Sequence, residues 1–345
     1  MRFTIRTFVV SVLVYASLGL LAQQAPTVLH AQYSTQSAEH GLGAQLDLLR
    51  KTGGPLWAGY FIPVEERFQR SDGEGVSYLE GESRYSYQNH SYENSPGSDY
   101  AVILLRMAGG HVEKIRVENA DRKLDAGGLR FVWITDVNAG DSVRTLRALA
   151  VTGGLQQLRE EAVFLISLHH APETVPALAE LAGPKNDLAI REKAAFWLAN
   201  QRGHDGFLVI QRLARDDADA RFREKLTFDL TLSHDPAALE ELVRMAHSDA
   251  SGQVRRQAQF WMANAGGKKV AADLRESAEN DPEVEVRKSA VFALSRLPGD
   301  EAATQLIQVA QSSKDAEVRK QAVFWLGQSN DPHALDYLTR LLTNN

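Results

Sequence analysis

The 345 residues carry 44 acidic and 38 basic side chains, a net charge of −6, and 44% hydrophobic residues, enough for about two domains with buried cores. No global positive field would draw in nucleic acid or an anionic membrane, and from Leu158 to Asn345 acids still outnumber Lys plus Arg by 28 to 23. There is no cysteine, which excludes disulfides, thiolate metal sites, thiol nucleophiles and the acyl-anchor cysteine of a bacterial lipoprotein.

The chain opens on a targeting pattern. Arg2 and Arg6 precede the apolar run Phe8–Ala22, and Ala22, Ala25 and Ala31 offer small residues for cleavage. That run is shorter than the ~20 residues of a spanning helix. Residues 1–31 are therefore expected to be a signal peptide or N-terminal anchor, with export to a bacterial periplasm. Residues 32–55 read as a tail, Gln32–His40, and a short helix with Leu42, Leu46, Leu48 and Leu49 that stops at Thr52-Gly53-Gly54-Pro55.

Residues 56–137 are expected to form a small β-rich domain. Leu56–Val64 has the aromatic and apolar content of a strand, and Ser71–Tyr100 reads as long loops with a weak strand or two. Tyr100–Met107, Val112–Val117 and Leu129–Val137 are strand-like, and the glycine turns at Gly109-Gly110 and Gly127-Gly128 separate them. Taken in order, they predict a meander.

From Asp141 to residue 345 the pattern is helical and periodic. Arg159, Arg191, Arg223, Arg255, Arg287 and Arg319 are spaced by 32 residues, and five residues after each comes Phe164, Phe196, Phe228, Phe260, Phe292 or Phe324. A gapless period in this range means stacked supersecondary units. Each unit reads as two antiparallel helices. The residue before the arginine and those three and seven after it form one inward stripe, as in Val286, Ala290 and Leu294; Ala303, Leu306, Val309 and Ala310 form the matching one. Ser142–Val151 matches the second helix of a unit and reads as a half-repeat covering the first face.

The units at Asp281–Leu297 and Asp315–Gly327, with an acid, then Val-Arg, then Ala and Leu, resemble HEAT-like repeats of the phycobilisome-lyase type. The resemblance covers Arg159 to the end. It implies a mainly α fold, a right-handed α-α superhelix of six full repeats plus a half-repeat, with the small β domain at its N-terminal side. It also implies a scaffold that grips proteins, as most such solenoids do; a minority are bilin lyases, which a signal peptide and a β domain argue against.

Three features bear on function. The arginine column either offers a ladder to an acidic partner or pairs with acids at the next unit's helix start, such as Asp219, Glu283 or Asp315; the regular recurrence favours structural pairing. The phenylalanine column falls roughly opposite the inward stripe, since a helix turns about 100° per residue. Six rings there form either a binding row for a protein or peptide or a packing seam between neighbouring helices. Trp197, Trp261 and Trp325 follow the phenylalanine in alternate units, as interface anchors or as bridges between packed helices. Leu165, Asp229 and Ala293 take the position in between, with Asp229 expected to face solvent.

No catalytic set, metal site or cofactor motif is expected. His169, His170, His204 and His234 lie in successive turns without a regular partner set. His90, His111, Asp121 and Asp125 are acid–base types without a motif, and neither G-x-S-x-G nor H-E-x-x-H occurs. The reading is an exported, non-catalytic scaffold binding a protein or peptide, not nucleic acid, and touching a membrane only through a possible N-terminal anchor. One alternative is a lyase- or hydrolase-type enzyme with a site where the β domain meets the first repeats, using His111, Asp125 or His169. Another is a self-assembling structural protein, since Leu335, Leu338, Leu341 and Leu342 on the last helix have no covering helix after them.

Overall fold

The computed structural model describes residues 25–69, 75–80 and 97–343. The apolar run Phe8–Ala22 and His90 lie outside the described residues, as does most of Ser71–Tyr100. The chain is mainly helical with a smaller N-terminal sheet region, and it divides into two compact units between Ala177 and Leu178.

In the first unit the strands are β1 (Val28–Leu29), β2 (Gln32–Ser37), β3 (Leu56–Phe68), β4 (Val76–Tyr78), β5 (Ser98–Ala108), β6 (His111–Asn119), β7 (Lys123–Asp125) and β8 (Arg130–Thr135). The helices are α1 (Leu42–Arg50), α2 (Ala139–Thr152) and α3 (Gln156–Leu168). A five-stranded sheet runs β2-β8-β3-β5-β6, parallel across β2, β8 and β3 and antiparallel beyond; β1-β7-β4 form a small parallel sheet.

The apolar run of β3 follows from burial on both faces. Trp57 joins Leu79, Val102, Leu104, Leu124, Phe131 and Trp133 in one core, while Ala58, Tyr60 and Ile62, pointing the other way, are also fully buried. Gly59 is required by close approach: a Cβ there would lie 2.9 Å from Leu104 and 3.0 Å from Phe131.

Two sequence expectations change. The predicted tail at Gln32–Ser37 is β2, an exposed edge strand beside β8. It shows no alternation because both faces are largely exposed, with the Tyr33 ring stacked on core Phe131. The meander is a hairpin only, β5–β6. β8 lies between β2 and β3, because four consecutive buried residues, Phe131–Ile134, need covering on both faces, which an edge position would not supply.

α4 (Thr174–Leu181) spans the boundary. In the second unit, α5 (Leu188–Gln201), α7 (Ala220–Leu232), α9 (Gly252–Gly266), α11 (Val284–Ser295) and α13 (Ala316–Gly327) pack side by side. So do α6 (Gly203–Asp216), α8 (Ala238–Ser248), α10 (Ala271–Asn280), α12 (Glu301–Ser312) and α14 (Pro332–Thr343), giving two helical layers. The inward stripe is the seam between the layers: Ile190, Phe222, Val254, Val286 and Val318 are all fully buried, as are Ala194, Leu226, Ala258, Ala290 and Ala322. Alanine at four of those five middle positions lets helices approach closely. Asp187, Asp219 and Asp315 cap α5, α7 and α13 through their side chains.

Candidate interaction surface

The arginine column forms a staircase inside the second unit. Arg191 pairs with Asp217 and donates to Ala182 O at 3.2 Å. Arg223 holds the Asp249 carboxylate and donates to Asp217 O at 2.7 Å; Arg255 holds the Asp281 carboxylate and donates to Asp249 O at 2.8 Å. Arg287 repeats this with Asp315 at 2.5 Å and Asp281 O at 2.7 Å, while Arg319 donates to Ser313 O at 2.8 Å. Asp217, Asp249 and Asp281 thus each take one arginine on the carboxylate and the next on the carbonyl, which fixes the stacking register. Of the acids expected as partners, Glu283 takes Arg255 at 3.0 Å and Asp315 takes Arg287, whereas Asp219 caps α7. In the first unit Arg159 donates to Ala150 O at 2.8 Å.

The aromatic column is neither fully exposed nor fully packed away. Phe196, Phe228, Phe260 and Phe292 are half-buried, and Phe324 is 53% exposed. Trp261 and Trp325 lean back onto the phenylalanine of the preceding helix, with ring centroids 4.9 Å apart for Phe228–Trp261 and 5.1 Å for Phe292–Trp325. Each tryptophan also meets its own phenylalanine edge-on, and Phe260 stacks on Phe292 at 6.4 Å and 9°. Phe228, Trp261, Phe260, Phe292, Trp325 and Phe324 therefore form one unbroken run of rings across four helices. Phe196 and Trp197 make an edge-on pair on α5, and Phe164 is half-buried on α3 in the first unit. The buried indole N–H groups of Trp261 and Trp325 have no hydrogen-bond acceptor among the described residues.

Asp229, expected to face solvent, is fully buried at the head of this run. Lys225, one turn earlier, bonds its Oδ1 at 3.0 Å and sets its ammonium 4.5 Å over the Phe228 ring. Oδ2 has no partner among the described residues, and burial pushes the carboxyl up to about 6 against the pull of Lys225. The i, i+4 spacing of lysine and acid was the available signal for this pair.

The acid–base residues of the first unit do not converge. His169 is fully buried: its Nδ1–H donates to Leu165 O at 2.8 Å, so Nε2 accepts from Ser142 Oγ at 2.8 Å. Ser142 in turn accepts from the Tyr60 hydroxyl at 3.0 Å, and burial pushes that phenol well above its ordinary range. This serine–histidine contact joins β3, α2 and the end of α3 and has no exposed atom to meet a substrate. Asp125 accepts from His30 at 2.8 Å and from Gly127 N–H, which hold it below the usual carboxylate range. His111 is exposed at the start of β6 and Asp121 in the turn that follows that strand. An open groove of about 480 Å³ between α1 and α2, with Asp47, Arg50, Asp141 and Arg144 in its lining, contains none of the three residues considered for catalysis.

His170 bonds Glu65 at 2.8 Å, His204 bonds Asp235 at 2.6 Å, and His234 is exposed. Among the described residues no three metal-ligating side chains come together, and no helix is long and apolar enough to cross a membrane.

Comparison with known protein families places repeats over residues 207–344. Human deoxyhypusine hydroxylase is 19% identical, covering 58% of this chain and 77% of its own at a TM-score of 0.33. The complex of CpcE and CpcF of phycocyanin lyase from Nostoc is 24% identical, covering 46% of this chain and 100% of its own at 0.35. The Escherichia coli protein YibA is 19% identical, covering 58% and 77% at 0.36. No curated protein matches the chain in sequence. Residues 207–295 and 239–324 match the family model described as HEAT repeats, and residues 318–344 match that of the PBS lyase HEAT-like repeat. Residues 207–344, which run from α6 through α14, thus carry HEAT repeats.

Proposed function

We propose that this protein is an exported, non-catalytic scaffold whose HEAT repeats hold another protein or peptide along the aromatic run. In this reading residues 141–345 form a right-handed superhelix of six full repeats and a half-repeat, and residues 56–137 form a β-rich domain. The N-terminal segment directs export to the periplasm. Cleavage at Ala22 or Ala25 would leave β1 intact, whereas cleavage at Ala31 would remove the strand that pairs with β7.

The observation that carries the proposal is the unbroken series Phe228–Trp261–Phe260–Phe292–Trp325–Phe324. Aromatic rings left half-covered in a continuous row have the make-up of interface anchors. A partner would complete the burial of the ring faces that remain open, Phe324 above all.

The test is capture from envelope extract by the immobilised chain and by a Phe196→Ala/Phe260→Ala/Phe324→Ala variant. Loss of the same bound proteins by the variant, with unchanged far-ultraviolet circular dichroism and a melting transition still above the assay temperature, supports the proposal. Undiminished capture by the folded variant refutes it. If the variant unfolds, the row is core and the proposal also fails.

A further inference from the structure

We propose that the outer edge of β2 is a self-association surface, on which two copies of the chain join as antiparallel strands about a twofold axis through Thr35. β2 ends the five-stranded sheet, and among the described residues no strand pairs with its other edge. The ladder shows which backbone groups are left over. Gln32 N–H donates to Leu129 O at 3.1 Å and Ala38 N–H to Thr135 O at 2.9 Å, so the even-numbered residues of β2 direct their groups to β8. Tyr33, Thr35 and Ser37 therefore turn both N–H and C=O outward, and all three are exposed.

Soluble proteins normally blunt such an edge with lysine, proline, a bulge or a covering element. The strand Gln32-Tyr33-Ser34-Thr35-Gln36-Ser37 has no charge and no proline, and its register with β8 is unbroken.

A second copy is the occupant these residues fit. In an antiparallel ladder, hydrogen-bonded pairs form only between residues that both face the partner strand. Centred on Thr35, that rule sets Thr35 opposite its counterpart and Tyr33 opposite Ser37 of the second copy, with Ser34 opposite Gln36. No charge opposes another along the strand, and paired threonines are favourable cross-strand neighbours. A foreign strand bearing charge would find none to answer it. The twofold closes the assembly, because each copy uses the same edge.

The experiment is light scattering on the purified chain from about 1 to about 300 μM, where a short ladder of this kind should associate. The mass is expected to rise from monomer to dimer across that range. Thr35→Pro removes the central outward N–H without costing a bond to β8, and should stay monomeric with unchanged circular dichroism. The absence of cysteine allows a geometric readout that does not depend on that variant. Hydrogen-bonded neighbours sit about 5.5 Å apart at Cα, within disulfide reach. Oxidised Thr35→Cys should become a covalent dimer, with Ser34→Cys, which faces Gln36, at least tenfold slower. A chain that stays monomeric throughout, a dimer that survives Thr35→Pro, or equal cross-linking of the two cysteine variants would overturn the proposal.

Discussion

The Arg223 guanidinium meets the Asp249 carboxylate in two parallel hydrogen bonds, 2.8 Å from Nε to Oδ2 and 2.8 Å from Nη2 to Oδ1. The carbonyl of the same aspartate takes Arg255, so one loop residue is bound to two successive first helices. Burial opposes ionisation of Asp249, yet Arg223 and Ser251 N–H still hold its carboxyl below the usual range. The pair fixes how far one repeat is turned against the next.

Removing one member of a buried pair strands the other. Arg255 is 5% exposed and serves Asp281, Glu283 and the Asp249 carbonyl together. Arg255→Ala should cost about 3–5 kcal/mol of unfolding free energy in urea. Arg319, bound to the Ser313 carbonyl, should cost only about 1 kcal/mol when changed to alanine. Equal losses at the two positions would show that the staircase does not set the repeat register.

The staircase was half legible in the sequence. The 32-residue period exposed the arginines, and Asp217, Asp249 and Asp281 obey the same period, so their pairing was available too. It was obscured because Ser313 breaks the aspartate column and Asp315, two residues on, takes Arg287 instead. The phenylalanine column was visible but its direction was not. A helical wheel places those rings opposite the inward stripe, whereas the neighbouring tryptophans cover them sideways. β2 left no trace of alternation, since a strand exposed on both faces has no apolar period to read.

Asp229 should make stability respond to pH in the opposite sense to the loop aspartates. Its folded pKa of about 6 lies above the unfolded value, so its ionisation opposes folding at neutral pH and that cost fades as pH falls from about 7 to about 4. Asp249 and Asp315, held below their ordinary values, stabilise above pH ~4 and lose that contribution below it. Asp229→Asn should therefore gain on the wild type as pH rises from 4 to 8, by about 3 kcal/mol at most. A stability difference independent of pH across that range would mean that the carboxyl is not buried as described.

The Tyr60–Ser142–His169 chain should behave as a structural brace. Ser142→Ala would leave a buried phenol and a buried imidazole nitrogen both short of a partner, at a cost of about 2–4 kcal/mol. Adding Tyr60→Phe should restore part of that loss, because the double variant no longer buries an unpaired hydroxyl. Unfolding titrations of the three variants measure the coupling; strict additivity would count against the chain of bonds. A fluorophosphonate that reports activated serines should leave Ser142 unlabelled in the native protein, since the residue has no exposed surface. Rapid labelling there would revive the hydrolase alternative.

The two sides of a first helix should answer differently to truncation. On α9, Met262 is fully buried between the helical layers, while Phe260, two residues earlier, is half-buried among Trp261 and Phe292. Met262→Ala should cost about 2–5 kcal/mol through lost transfer energy and the cavity left behind. Phe260→Ala removes a larger side chain, but its exposed half contributes no burial and solvent can enter the space, so the expected cost is nearer 1–2 kcal/mol. Urea midpoints of the two variants, compared at equal slope, measure the difference. A larger loss for Phe260 would place the ring in the core and remove the row as a docking surface. The predicted order leaves the aromatic run free to be completed by a partner.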